Sequence, residues 1–503
     1  MFYSLLKVLS FNITIVRQKS TVFALSSGSG KCGVAVIRVT GTEAGAAIKK
    51  LTNLQELPQP RTAILRSIKH PISNEVLDKG LVLWFPGPKS FTGEDSCEFH
   101  VHGGLAVVNQ VLDALGNLHN LKVAEPGEFT RRAFLNGKLD LTEVEGLADL
   151  LKAETEAQRK QAFLQSHGSL SNLYEKWKQK LKHSVANIEA HIDFEETETL
   201  EYGLVEGVRE NIHILCQEIE RHLKDGRKGE LLRNGVRTVI LGEPNVGKSS
   251  LLNALCQRPA SIVTPISGTT RDVIEVTLNI GGYPLILSDT AGLRNTSQDI
   301  IELEGISRAK DMYRKADLVI LVIDFLNYLN WHDKCNSINN VKEYIQVYIK
   351  ELGLSDLIQT DECDLKDWKN MFSKSCVVVL NKTDLDTKNL CGNMDNEVVK
   401  LSCKSEDGIP ELVDVLAQHL KVLCGDPSHE YPSMNQARHR EQVQKCRNNL
   451  LLFLQEANNK ETGDLVIMAE YLRKALRNLG RLIGTVTSEE ILDVIFRDFC
   501  IGK

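Results

Sequence analysis

Eight residues, Gly242-Glu243-Pro244-Asn245-Val246-Gly247-Lys248-Ser249, leave little freedom in how the middle of this chain folds. They match the phosphate-loop pattern GxxxxGK(S/T), with the apolar run TVIL just ahead and LLNAL just behind. Such a loop works between a strand and a helix, because inward-turned backbone N–H groups and the helix N-terminus together surround phosphate oxygens. Strand, loop and helix in that order make half of a βαβ unit, so a parallel sheet with crossover helices is expected. Asn245, Val246, Gly247 and Ser250 fall in the cradle, Lys248 should reach the β- and γ-phosphates, and Ser249 should ligate Mg2+.

Three further apolar runs repeat the design: LIL before Asp289, LVILVID from Leu318 and VVVL before Asn381. Ligands of such sheets sit at the carboxyl ends of the strands. There Asn381-Lys382-Thr383-Asp384 selects the base. The Asp384 carboxylate can accept from the N1–H and exocyclic amine of guanine, whereas adenine would leave it unpaired, a discrimination of ~10⁴-fold. Ser402-Cys403-Lys404 fits the accompanying guanine-contact loop, so GTP is the expected nucleotide.

Asp289-Thr290-Ala291-Gly292 is the strand-end DxxG, where Asp289 would hold Mg2+ through water and the Gly292 N–H would sense the γ-phosphate. Leu293 follows and cannot polarise water, so hydrolysis needs another group. Two substitutes stand in the sequence. Glu302 suits the attacking water, with a solvated helix charge as the plainer alternative. Thr270 suits a switch threonine that closes on Mg2+, while Thr264, Ile266 and Thr269 together with Asn245 suit a K+ ion beside the β–γ bridge; Arg271 as an arginine finger competes with that cation. The catalytic candidates are therefore Lys248, Thr270 and Glu302.

A chain of 503 residues, 42% apolar and 25% charged, is expected to fold as several soluble domains. No apolar run reaches the ~18 residues of a membrane span. The net charge of −6 argues against binding nucleic acid by bulk electrostatics. Twelve cysteines without a CxxC pair suggest neither a zinc site nor a disulfide framework. No acidic residue precedes Glu43, and Lys7, Arg17 and Lys19 lie among apolar side chains, the composition of a mitochondrial transit peptide over residues 1–20. A frayed terminus and a secretory signal are the alternatives.

Around the nucleotide-binding segment, residues 21–138 alternate short β-like runs with glycine and proline, which reads as an α+β domain. Proline is absent between Pro126 and Pro244 and again after Pro432, and apolar residues recur there at helical spacing. The expected architecture is multidomain α+β and α/β: one helical domain from segments 139–233 and 430–503, with a Ras-like domain, residues 234–429, inserted between them. Residues 327–374 look polar and weakly patterned, and are read as an insertion, one mobile loop with a short helix. Arg438, Arg440, Arg473, Lys474 and Arg477 offer contacts to RNA phosphates or a solvated helix face. In the N-terminal domain Glu98, His100 and His102 fall on one strand face, which leaves a polar pocket, a weak metal site or a solvated face open.

Motifs outside the nucleotide site narrow the reading: SSGSGKCGVAVIRVTG (Ser26–Gly41), FPGPKSFTGEDSCEFHVHGG (Phe85–Gly104), EPGEFTRRAFLNGKLDLTEVE (Glu125–Glu145) and FCIGK (Phe499–Lys503). With these the chain resembles the MnmE/TrmE tRNA-modification GTPases over nearly its whole length. The resemblance implies a pocket for 5,10-methylene- or 5-formyl-tetrahydrofolate formed by Arg38, Glu98, Lys138 and Lys503. It further implies a homodimer acting with an FAD-containing partner of the MnmG type. The implied reaction installs an aminomethyl-type group on the wobble uridine of mitochondrial tRNAs in the matrix, with K+-stimulated GTP hydrolysis. SSGSGKCGV replaces a loop that usually reads TPPGRGGV. Cys500 is weighed as a nucleophile and as packing in an apolar turn. A ribosome-assembly or RNA-chaperone GTPase is the competing function.

Overall fold

The computed structural model describes residues 20–28, 30–194, 204–225, 227–257, 276–287, 311–334, 341–358, 371–386, 397–428, 432–459, 464–486, 489–497 and 499–503. The chain divides into two units, residues 1–148 with 480–503, and residues 149–479.

In the first unit six strands, β1 (Thr21–Leu25), β2 (Cys32–Thr40), β3 (Ile64–Lys69), β4 (Val76–Phe85), β5 (Ser96–Gly103) and β6 (Leu121–Val123), form a sheet in the order β3-β4-β5-β2-β1-β6. All neighbours run antiparallel except β1 and β6. Alternation decides the faces. Ile37, Val39 and Phe99 point into a core shared with helices α1 (Ala44–Thr52) and α2 (Leu105–Gly116), leaving Arg38 and Glu98 on the opposite face. The β2/β5 register sets Arg38 directly across from Glu98, so two residues 60 apart in sequence become side-by-side neighbours.

A second cluster in this unit joins α4 (Leu141–Lys152) to α15 (Glu489–Arg497) through Leu141, Val144, Leu492, Phe496 and Phe499. Between the sheet and that cluster lies α3 (Glu128–Leu135). Gly127 opens α3 at φ +72°, and a Cβ there would stand 2.3 Å from Phe496 O, so glycine allows the close approach. The chain then brings residues 499–503 back to the sheet: Ile501 bridges Pro126, and Ser26 Oγ donates to Gly502 O at 2.9 Å.

The second unit begins with helices α5 (Glu156–Ser166), α6 (Ser169–Phe194), α7 (Leu204–Leu223) and α8 (Lys228–Asn234). Thr155 and Gln158 close a capping box that starts α5. A second six-stranded sheet follows, order β12-β11-β10-β7-β9-β8, from β7 (Val236–Leu241), β8 (Val276–Ile280), β9 (Tyr283–Leu287), β10 (Leu318–Asp324), β11 (Ser375–Asn381) and β12 (Val398–Lys400). Only β8 pairs antiparallel. Every residue of β10 is buried, as a strand covered on both faces requires. Helices α9 (Lys248–Cys256) and α12 (Ile409–Cys424) cover one face, α10 (Phe325–Lys334) and α11 (Val341–Glu351) the other. Two helices, α13 (Ala437–Ala457) and α14 (Leu465–Ile483), follow the sheet in sequence.

Residues 327–374, expected as one loop with a short helix, instead hold most of α10, all of α11 and a 3-10 turn at Ser355–Leu357. Tyr344, Ile345, Tyr348 and Ile349 recur at helical spacing and are buried, with Tyr328 and Trp331 packed near them. The polar residues between them mask the period.

Candidate functional site

The phosphate loop leaves β7 at Gly242 and enters α9 at Lys248. Three of its residues have positive φ: Gly242 +152°, Asn245 +64° and Gly247 +102°. A Cβ on Gly247 would lie 2.1 Å from Asn381 Nδ2, so the loop's sixth position must be bare. Lys248 Nζ donates to Gly242 O at 2.8 Å and to Glu243 O. Burial lowers its pKa and Glu243 opposes the shift. Glu243 is itself tethered twice: its N–H donates to the Tyr348 hydroxyl at 2.8 Å, and Asn327 Nδ2 donates to its carboxylate at 2.9 Å.

Asn381 ends β11 and is buried. Its amide nitrogen donates to Val246 O at 2.8 Å and its oxygen accepts from the Cys403 N–H at 3.1 Å, which ties the phosphate loop to the segment expected to contact guanine. Lys382 takes φ +68°, and its Nζ reaches Asp324 Oδ2 at 2.6 Å at the end of β10. The Asp384 carboxylate is aimed by Ser402, whose hydroxyl donates to it at 2.7 Å while accepting from the N–H groups of Lys404 and Ser405. Holding one carboxylate oxygen this way leaves the other for a ligand. The site thus unites Asn245, Val246, Gly247, Lys248, Ser249, Ser250, Asn381, Lys382, Asp384, Ser402, Cys403 and Lys404 at the carboxyl ends of β7 and β11. Thr264, Ile266, Thr269, Thr270, Arg271, Asp289, Thr290, Ala291, Gly292 and Glu302 lie outside the described residues. Sequence reasoning missed Tyr348, Asn327 and Asp324; the helical spacing of Tyr344 and Tyr348 was the available signal.

A second polar cluster sits in the first unit. Arg38 donates to Glu98 Oε1 from Nε at 3.1 Å and from Nη2 at 2.9 Å, and its guanidinium lies over Phe91 and Phe129, 5.5 and 5.8 Å from the ring centroids. His100 Nε2 lies 3.1 Å from the other Glu98 oxygen. Burial raises the Glu98 pKa, yet the hydrogen bonds and charges of His100 and Arg38 outweigh it and hold the carboxyl below its usual range. Lys503 faces the same pair: burial and Arg38 lower its pKa while Glu98 raises it. Lys138 Nζ donates to Pro88 O at 3.1 Å, on the neighbouring loop. That loop is fixed by Arg132 to Glu94 at 2.9 Å and by Asn136 to Thr92 O at 2.6 Å, both beyond what the motifs alone indicated.

The metal alternative for this strand face is corrected. His102 shares the face but turns to Asp78, 2.8 Å away, and no group of three His, Cys, Asp or Glu among the described residues is arranged to hold a metal ion. Cys500 is exposed rather than packed, the apolar turn burying Phe499 instead. Several of the basic residues weighed for RNA are engaged: Arg440 binds Asp225 and Glu230, Arg473 binds Glu189 and Arg477 binds Glu470.

Known families and proteins resemble this chain along most of its length. Residues 21–138 match the family described as GTP-binding protein TrmE N-terminus, and residues 141–500 match the MnmE helical domain. The chain is 49% identical over 492 residues to a mitochondrial protein of Danio rerio named 5-taurinomethyluridine tRNA synthase subunit GTPB3, covering 96% of this chain and 93% of that one. It is 44% identical over 486 residues to the Homo sapiens protein of that name, with the same coverage. A tRNA modification GTPase MnmE of Parvibaculum lavamentivorans is 44% identical over 483 residues, 96% of this chain and 100% of that one. Matched by family models on both sides of residue 140 and by relatives along nearly its whole length, the chain belongs to the MnmE/TrmE family of tRNA-modification GTPases.

Proposed function

We propose that this protein binds GTP between the phosphate loop and Asp384, hydrolyses it, and uses the cycle to install a 5-aminomethyl-type group, taurinomethyl or carboxymethylaminomethyl, on the wobble uridine of mitochondrial tRNAs. The observation that carries the nucleotide reading is the Asn381 bridge. It ties the phosphate loop, through Val246 O, to the Ser402–Lys404 loop that holds Asp384, which supports reading triphosphate and base at one site. Ser249 fits Mg2+, with Thr270 as its second ligand, and Asn245 with Thr264, Ile266 and Thr269 would hold K+. Lys248 neutralises charge on the β- and γ-phosphates, and Glu302 orients water.

The Arg38–Glu98 pair with Lys138 and Lys503 fits a tetrahydrofolate. A carboxylate and a guanidinium match the pterin's donor and acceptor edge, and the two ammonium groups suit a glutamate tail. When bound, that cofactor supplies the one-carbon unit; Arg38 and Glu98 orient it, and Phe91 and Phe129 lie on the guanidinium that does so. Residues 234–429 act as a G domain inserted in a helical domain made of 139–233 and 430–503. Pairing of Arg447 with Glu220 and of Arg440 with Asp225 across that division supports the arrangement. The protein is mitochondrial, in line with the names of its animal relatives and its acid-free first 42 residues, and no helix among the described residues is long and apolar enough to cross a membrane. It works as a homodimer with an FAD-containing partner.

The test is mass analysis of wobble uridines in mitochondrial tRNA from cells lacking the protein, paired with GTP turnover by purified protein in K+ and in Na+. The modified uridines should disappear and turnover should be faster in K+. Unchanged uridines remove the modifying role; equal rates remove the K+ site.

A further inference from the structure

Tyr348 reaches the phosphate loop from an element that the nucleotide motifs do not include. It lies on α11, in the stretch between β10 and β11, and is only 1% exposed. Its hydroxyl accepts the Glu243 N–H at 2.8 Å and donates to Val322 O at 3.0 Å, two residues before the end of β10. Pro244 has no N–H, so Glu243 supplies the only backbone donor between the first glycine and the phosphate-facing part of the loop. The fit is close on all sides: a Cβ on Gly242 would stand 2.4 Å from Val322 O and 3.3 Å from the Tyr348 hydroxyl. One peptide further, the Glu243 carbonyl holds Lys248 Nζ. Stacking on Tyr344, with centroids 6.0 Å apart, keeps the ring in place, and Asn327 of α10 provides the second tether on Glu243. Burial pushes the phenol pKa up, so the group remains a neutral O–H able to donate and accept together.

We propose that Tyr348 is a positioning residue of the nucleotide site, its hydroxyl coupling the entry of the phosphate loop to the carboxyl end of β10 and so setting how tightly nucleotide is held. The inference rests on the reading of Gly242–Ser249 as the nucleotide cradle. Helices α10 and α11 thereby acquire a role, because a shift of α11 transmits directly to the peptide that carries the Lys248 contact. A ring that only filled space would act through its faces, and the two polar contacts would then be dispensable. Removing the hydroxyl takes away the partner of the part-buried Glu243 N–H and one donor to the buried Val322 O, on the two elements it joins.

The experiment compares release of a fluorescent GDP analogue from the full chain and from Tyr348→Phe, with melting temperature recorded alongside. Release is expected to accelerate about 5- to 20-fold in the variant, as removal of one buried hydrogen-bonding group beside the loop should cause. Wild-type release with only a lower melting temperature would reduce Tyr348 to packing and overturn the proposal. Should Tyr348→Phe not fold, the comparison passes to Asn327→Leu at an exposed position. Its release rises about threefold if the Glu243 tether positions the loop, and wild-type release there overturns the proposal equally. Lys248→Ala separates the two levels: retained nucleotide binding in that variant would refute the cradle itself, whatever the tyrosine does.

Discussion

Asn381 shows how one side chain can organise a site without being its chemistry. Both ends of its amide are spent on backbone, Val246 O on one side and Cys403 N–H on the other, and the close contact falls on Gly247. Gly247→Ala is therefore expected to fail twice, by placing a methyl group on the Asn381 amide and by forcing a non-glycine residue to φ +102°. Together these cost about 2–4 kcal/mol, and GDP affinity measured by fluorescence titration should fall at least about 30-fold. A Gly247→Ala protein with native affinity would mean that the loop and the β11 end move independently. The motif residues around this contact were legible because each pattern is local and each strand end announces it. The Asn381 bridge was not, since its partners lie 135 and 22 residues away and only the sheet order brings them together.

At the scale of elements, α6 and α7 meet over a buried aromatic cluster in which His222 touches Tyr174 and Trp177, with ring centroids 5.9 and 5.4 Å apart. Burial, helped by His439 and Arg440 and opposed by Asp225, brings the His222 pKa down from 6.5 to about 4. The unfolded chain takes up this proton below about pH 6.5, whereas the folded one refuses it until about pH 4. The stabilisation is fully present above the upper value and is lost as pH falls toward the lower one, by about 2–3 kcal/mol across the window. Urea unfolding followed between those limits should show the loss in the wild-type chain and a flatter profile in His222→Gln; parallel profiles would place the proton elsewhere. The helices themselves were readable from proline-free runs with apolar periods. Helix α11 was not, because its buried tyrosines alternate with lysine, glutamate and glutamine, and a stripe of amphipathic rings looks polar until its packing is known.

For the whole molecule, the site proposed for folate draws on residues from both ends of the sequence, Arg38 and Glu98 with Lys503. Removing residues 499–503 takes away Lys503 and the buried Phe499, together with the contacts of Ile501 and Gly502 to Pro126 and Ser26. Binding of 5-formyl-tetrahydrofolate by calorimetry should weaken at least about tenfold, while nucleotide release from the phosphate loop reports that the shortened chain still folds. Undiminished binding would exclude the tail from the pocket. The proposed role of FCIGK was visible only through resemblance; nothing local in five residues says which strand they will meet.

The Ser26 to Gly502 hydrogen bond spans 476 positions. A polypeptide delivered first residue first, from the ribosome or through an import pore, must present β1 and β2 long before their last neighbour arrives, on the order of 25–100 s at synthetic rates of ~5–20 residues per second. Until then Leu25 and Pro126 stand without the segment that closes over them. A product cut short by a protease or a premature stop carries the same unfinished seam, with Ser26 and Pro126 left without the contacts of Gly502 and Ile501.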